Sequence, residues 1–166
     1  MERGLGTRLR HLLELLDGAV EATYAADGND YRPRFTPVMR ALLEQEPSTV
    51  GQIAMAAGIT QPAATQTVAL MVQEGLLSSE PGPSDARQRL IRLTDSGRAL
   101  VPWLRVRWAA TADAAERLDA ELPAPLSEVL DAAIHALETK SFGARIAESR
   151  ERLEKSRKKA RKQSTR

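Results

Sequence analysis

The sequence contains no cysteine, which excludes disulfides, thiolate metal sites and thiol-based sensing in this chain. Histidine is almost as scarce, with only His11 and His135, and no His/Glu pair has the spacing that holds a metal on one helix. Aromatic residues make up 4%, so a core must come from Leu, Ala, Val and Ile, a mixture that favours helix. No stretch approaches the roughly 18 apolar residues of a membrane span. The opening residues, MERGLGTRLRHLL, lack an apolar run ending in a small-residue cleavage site. A cytoplasmic protein without membrane partner, metal or cofactor is therefore expected. No phosphate loop and no nucleophile-and-base constellation is visible. Asp17/Glu21 and Glu148/Glu151 are carboxylate pairs at helical spacing of the kind found on solvated faces, so no catalytic residue is expected and the chain is not read as an enzyme.

What is present is an uneven distribution of charge. The net charge of +2 conceals ten basic and three acidic residues between Ala144 and Arg166, a surplus of +7. The other 143 residues hold 14 basic and 19 acidic side chains, a balance of −5. The high isoelectric point is thus a property of the tail. It gives no evidence that the folded part binds nucleic acid. The tail has too few apolar residues for a core and is read as solvated helix or disorder, with a DNA arm of sequence-independent, salt-sensitive affinity as the other reading.

Apolar periodicity outlines the elements. Leu5, Leu9, Leu12, Leu13, Leu16, Val20 and Tyr24 recur at steps of three and four, one stripe of an amphipathic helix. Gly28, Asn29 and Pro33 break the pattern. Thr36-Pro37 reads as a helix cap followed by a first-turn proline, and Val38, Met39, Leu42 and Leu43 supply that helix's apolar face. Ser48 or Thr49 can cap a short helix, Thr49 having capping-box spacing to Gln52. Gly58 permits a turn, and Thr60 caps a second helix that opens with Gln61 and Pro62 and runs to about Gln73. Leu76 to Glu80 and Arg89 to Leu93 look like two strands around a tip, PGPSDARQ, with Ile91 and Leu93 on one face and Arg92 on the other. Thr94 can cap a long helix from Asp95 to about Glu121, with a kink expected at Pro102. Leu122 to Pro125 breaks the chain. Leu126, Val129, Leu130, Ala133, Ile134 and Leu137 mark a last core-facing helix, with Gly143 near its end. The expected class is mainly α with a small β-hairpin.

Two stretches, IAMAAGITQPAATQTVALMVQEGLL and SDARQRLIRLTDSGR, resemble the winged helix-turn-helix of the MarR family of bacterial regulators. In the first, Ala54 and Gly58 stand four apart: a small side chain lets two helices cross closely, and glycine accepts the left-handed turn. Ile59, Ala64, Val68 and Met71 fall on the inward face. In the second, Asp85, Arg87, Ile91, Leu93, Thr94 and Gly97 match the wing pattern Asp-x-Arg, apolar strand, Leu-Thr-x-x-Gly. The resemblance extends over roughly Leu5 to Phe142 and leaves the basic tail outside it.

The resemblance implies four parts: an N-terminal dimerisation helix and loop over 1–33, a winged helix-turn-helix over 34–98, C-terminal dimerisation helices over 99–142, and the tail over 143–166. It implies a homodimer on double-stranded DNA, expected to act as a repressor at a pseudo-palindromic operator and to be released by a small aromatic or anionic effector. Thr60, Gln61, Pro62, Thr65 and Gln66 would face the major groove, where glutamine can pair with adenine and Thr or Pro can meet a thymine methyl. Arg87 would reach the minor groove with Asp85 supporting the wing, and Arg89 would meet phosphate. One departure stands out: Thr60 to Gln73 contains no Lys or Arg, although phosphate attraction supplies much of DNA affinity. Tyr24, Tyr31, Trp103, Arg107 and Trp108, with His11 as a polar partner, are the effector candidates, against a reading in which these aromatics are core or dimer interface. A winged helix used for protein contact without specific DNA binding is the alternative function.

Overall fold

The computed structural model describes residues 4–82 and 88–163. Seven α-helices and one hairpin lie within that range. The chain divides into two compact units, Met1–Ala109 and Ala110–Arg166.

The first unit opens with α1 (Leu5–Ala26). A loop and a 3-10 turn (Pro33–Phe35) lead into α2 (Thr36–Glu44). α3 (Val50–Ala56) and α4 (Gln61–Gln73) are the two short helices anticipated around Gly58. Gly58 has φ +64°, the left-handed conformation that a Cβ would strain. The α3 capping box forms in full: Gln52 N donates to Thr49 Oγ1 at 3.2 Å, and Thr49 N donates to Gln52 Oε1 at 2.8 Å. β1 (Leu77–Pro81) pairs antiparallel with β2 (Arg89–Leu93), in the register Leu77 to Leu93 and Pro81 to Arg89. Strand β1 begins one residue later than its apolar pattern suggests, because Leu76 instead closes the turn, donating its N–H to Met71 O at 2.9 Å.

The core of this unit gathers Phe35, Val38, Met39 and Leu42 with Ile53, Met71, Ile91 and Leu104, all buried almost completely. Helix α5 (Asp95–Glu121) starts here and carries Pro102 in its interior without ending. Its start explains the Leu-Thr-x-x-Gly pattern. Thr94 Oγ1 accepts from Gly97 N at 3.1 Å and donates to Gly75 O at 2.6 Å, while Thr94 N donates to Leu76 O at 3.1 Å. A Cβ on Gly97 would lie 2.3 Å from Leu76 O, far inside contact distance. The motif is therefore a clasp between the α4–β1 turn and the root of α5.

Long-range contacts engage three side chains of this unit in ways that local pattern does not give. Thr36 does not cap α2; the helix already includes it, and its hydroxyl accepts instead from Trp108 Nε1 at 3.3 Å. Ser48 is no helix cap either. It forms an isolated antiparallel bridge with Ile91, adding a third backbone partner to the hairpin. Glu46, unmarked by any local pattern, accepts from Leu93 N at 2.9 Å and from Arg98 at 2.6 Å.

The second unit contains the end of α5, then α6 (Leu126–Thr139) and α7 (Phe142–Gln163). Asp119 holds the start of α6, accepting from Leu126 N at 2.7 Å and from the Ser127 hydroxyl. These contacts, the Ser127 hydroxyl foremost, hold its carboxyl below the usual range. The expected core-facing stripe of α6 faces no core within the chain: no α6 residue is buried, and Val129 and Ile134 are 51% and 55% exposed. Nor does Gly143 end this helix. α6 stops where Lys140 turns extended, and Gly143 lies in the first turn of α7. The two-residue gap, Lys140 and Ser141, contains neither Gly nor Pro to mark it.

Candidate nucleic-acid interface

α4 is built with two chemically distinct faces. Ala64, Val68 and Met71 are buried, and Ile59 is partly buried beside them. Spacing at four and three residues puts them on one side of the helix. Thr60, Gln61, Pro62, Thr65 and Gln66 are all exposed on the other. Thr60 caps the helix, its hydroxyl accepting from Ala63 N at 3.4 Å. Pro62 sits in the first turn, where no intrahelical N–H partner is missed. Thr65 donates its hydroxyl proton to Gln61 O at 2.9 Å, leaving lone pairs and a methyl facing out. The amides of Gln61 and Gln66 make no hydrogen bond among the described residues, so their donor and acceptor edges are available to a partner.

The hairpin follows at Leu77 and returns at Arg89. Arg89 is exposed but folds back across the strands, Nε donating to Ser79 Oγ at 3.0 Å with a further contact to Ser79 O. Arg92 stands beside Glu80 at 3.8 Å. Asp85 and Arg87 lie outside the described residues. Arg32 pairs with Glu74 at 2.8 Å, tying the loop after α1 to the end of α4.

The aromatic candidates do converge. Tyr24 lies with its ring centroid 5.0 Å from Trp103 and 5.9 Å from Tyr31, and Tyr31 meets Phe35 edge-on at 5.7 Å. Arg107 covers the Trp103 ring and pairs with Asp27 at 2.6 Å. Trp108 binds Thr36 and lies under Arg40. Tyr24, Tyr31 and Trp108 are buried, and burial pushes the pKa of both tyrosines above the usual phenol value. The Tyr31 hydroxyl is enclosed without a hydrogen bond of good geometry, with Thr36 as a polar neighbour. An open groove of about 410 Å³ passes Tyr31, lined also by Glu21, Asn29, Asp30 and Arg32. His11 belongs to none of this; it is exposed near Glu14 on α1. No helix among the described residues is long and apolar enough to cross a membrane.

Residues 36–88 match the model of the MarR family. Through this stretch the chain is similar to the MarR family. Its fold is similar to that of solved regulators. The PcaV transcriptional regulator of Streptomyces coelicolor, in complex with its natural ligand, is 23% identical; the match covers 85% of this chain and 99% of that one, with a TM-score of 0.56. The repressor CouR bound to a 23-mer DNA duplex is 24% identical over 82% of this chain and 91% of its own, TM-score 0.55. BpsR of Bordetella bronchiseptica, whose DNA binding is regulated by 6-hydroxynicotinic acid, is 20% identical over 84% and 94%, TM-score 0.57. Among curated protein sequences there is no match.

Proposed function

We propose that this protein is a homodimeric, sequence-specific DNA-binding repressor that reads a pseudo-palindromic operator and is released by a small aromatic or anionic effector. The observation that carries the reading is the division of α4, with one face locked into the core and Gln61 and Gln66 unengaged on the other. Residues 34–98 act as the reading unit, 1–33 and 99–142 as dimerisation elements, and 143–166 as an appended tail. In the major groove the two glutamines pair with base edges, while Thr60, Pro62 and Thr65 meet thymine methyls or phosphate. Arg87 enters the minor groove from the wing, Asp85 supports it, and Arg89 contacts phosphate through donors not used on Ser79.

One winged unit reads one half-site, and a twofold pair reads two about one helical turn apart. Support for a pair comes from the apolar side chains left exposed on α1 and α6, among them Leu9, Leu13, Leu16, Val129 and Ile134. Support for an effector comes from relatives solved with, or regulated by, small ligands. The groove beside Tyr31 has a volume within the range of small-molecule sites.

The test is selection of bound fragments from genomic DNA by the purified full chain. A palindromic motif whose recovery collapses in the Gln61→Ala/Gln66→Ala double variant is the expected result. Recovery without any motif would reject specific reading. That outcome would favour the second reading, a winged helix for protein contact, which the absence of Lys and Arg from α4 recommends.

A further inference from the structure

The reading head and the tail divide charge in opposite ways. α4 has no cation, and the described hairpin cations, Arg89 and Arg92, lean on Ser79 and Glu80. Everything before Ala144 sums to −5, which opposes a polyanion. α7 reverses the sign. Its opening is spent on structure: Arg145 donates to Ala136 O at 2.8 Å and to Lys140 O at 3.2 Å, the carbonyls that end α6. Lys140 pairs with Glu148 at 2.6 Å, and that pairing, Lys140 first, lowers the Glu148 pKa. The corner between α6 and α7 is thus fastened by side chains.

Beyond Glu154 there is no acidic residue to the end of the sequence. Lys155, Arg157, Lys158, Lys159, Arg161 and Lys162 all fall within the last nine residues of α7. Six charges over nine helical residues occupy about 13 Å of rise, one per roughly 2 Å. Duplex DNA carries one phosphate charge per about 1.7 Å of axis. The match is close in linear density. The same segment has no apolar side chain larger than Ala160 after Leu153, so it lacks the hydrophobic face with which an amphipathic helix enters a lipid surface.

We propose that the end of α7 is a DNA-backbone arm, contacting phosphates of duplex flanking the operator without reading sequence and supplying the charge that α4 lacks. This rests on the DNA-binding reading above.

The experiment replaces those six residues by Gln in the full chain, Gln being a comparable helix former. Binding is followed by fluorescence anisotropy on a random-sequence duplex and on a selected motif, from about 50 to 200 mM salt. Each phosphate contact adds about 0.9 to the slope of log affinity against log salt. The Gln variant is expected to lose at least about 3 from that slope, so that its affinity falls about 60-fold less across the salt range than that of the unaltered chain. The loss should be equal on both duplexes, leaving the preference between them intact. A chain ending at Glu154 serves as the second variant and should behave alike, with thermal melting confirming that both fold.

An unchanged slope with preference retained overturns the arm alone. A reduced slope without any preference in the parent chain supports the arm and rejects the specific-reading proposal. No duplex binding by the unaltered chain rejects both. A Gln-sensitive affinity for vesicles of anionic lipid with no effect on duplex binding also overturns the arm.

Discussion

The two units treat apolar side chains in contrasting ways. In Met1–Ala109, helices α2, α3 and α4 and the hairpin each contribute at least one side chain to a closed core. In Ala110–Arg166, an equally regular stripe on α6 remains open to solvent. Regular periodicity is common to both, so periodicity identifies an apolar face but not what covers it. A helix whose apolar face has no partner in its own chain is stabilised by association or by very little. The contrast separates a part whose apolar side chains close on themselves from a part whose apolar stripe stays exposed.

The comparison can be broken most directly at the core of the first unit. Phe35→Ala should cost about 3–5 kcal/mol, seen as a large drop in the urea midpoint. A loss below about 1 kcal/mol would mean that this core is much looser than its burial implies. Gly97→Ala is expected next, at about 1–3 kcal/mol from overpacking against Leu76 O, with the wing and α4 perturbed together in backbone NMR shifts. If those shifts stayed confined to the helix start, the clasp would not couple the two elements.

Substitution on α6 should give the opposite pattern. Val129→Asp/Ile134→Asp is predicted to convert a dimer into a monomer by sedimentation at micromolar concentration while leaving the near-ultraviolet signal of Trp103 and Trp108 in place. A parent chain already monomeric at that concentration would remove the distinction between the units. In α4, Gln61→Ala should weaken binding to the selected motif by about 1–3 kcal/mol with an unaltered melting curve, and binding to random duplex should hardly change.

The smallest effect concerns pH. Because the folded Asp119 carboxyl is held below its ordinary value, its contribution is present above the ordinary aspartate range and fades as pH falls through the folded value. Helical circular dichroism should therefore fall more on acidification in the parent chain than in Asp119→Asn. Equal acid sensitivity would show that Asp119 does not anchor α6.

The legible parts of the fold were those written in neighbouring residues. The Thr49–Gln52 capping box, the Thr60 cap, the left-handed Gly58 and the buried trio Ala64, Val68 and Met71 each depend on spacings of a few positions. So did the exposed positions Thr60, Gln61, Pro62, Thr65 and Gln66, as the complement of that trio. Thr36 misled for a related reason: a threonine before proline fits a cap, but a tryptophan 72 positions later takes its hydroxyl. Gly143 likewise resembles a helix end while lying in the first turn of the next helix.

Local sequence by itself determined where α3 and α4 start, which face of α4 is apolar and where positive charge accumulates, because backbone geometry and side-chain chemistry act over a turn or two. Tertiary structure alone decided that Ser48 bridges Ile91, that Glu46 gathers Leu93 and Arg98, that Gly97 must lack a side chain, and that α6 finds no cover. Each of those depends on atoms brought together from distant positions or on an absent neighbour, and no short window of residues encodes either one.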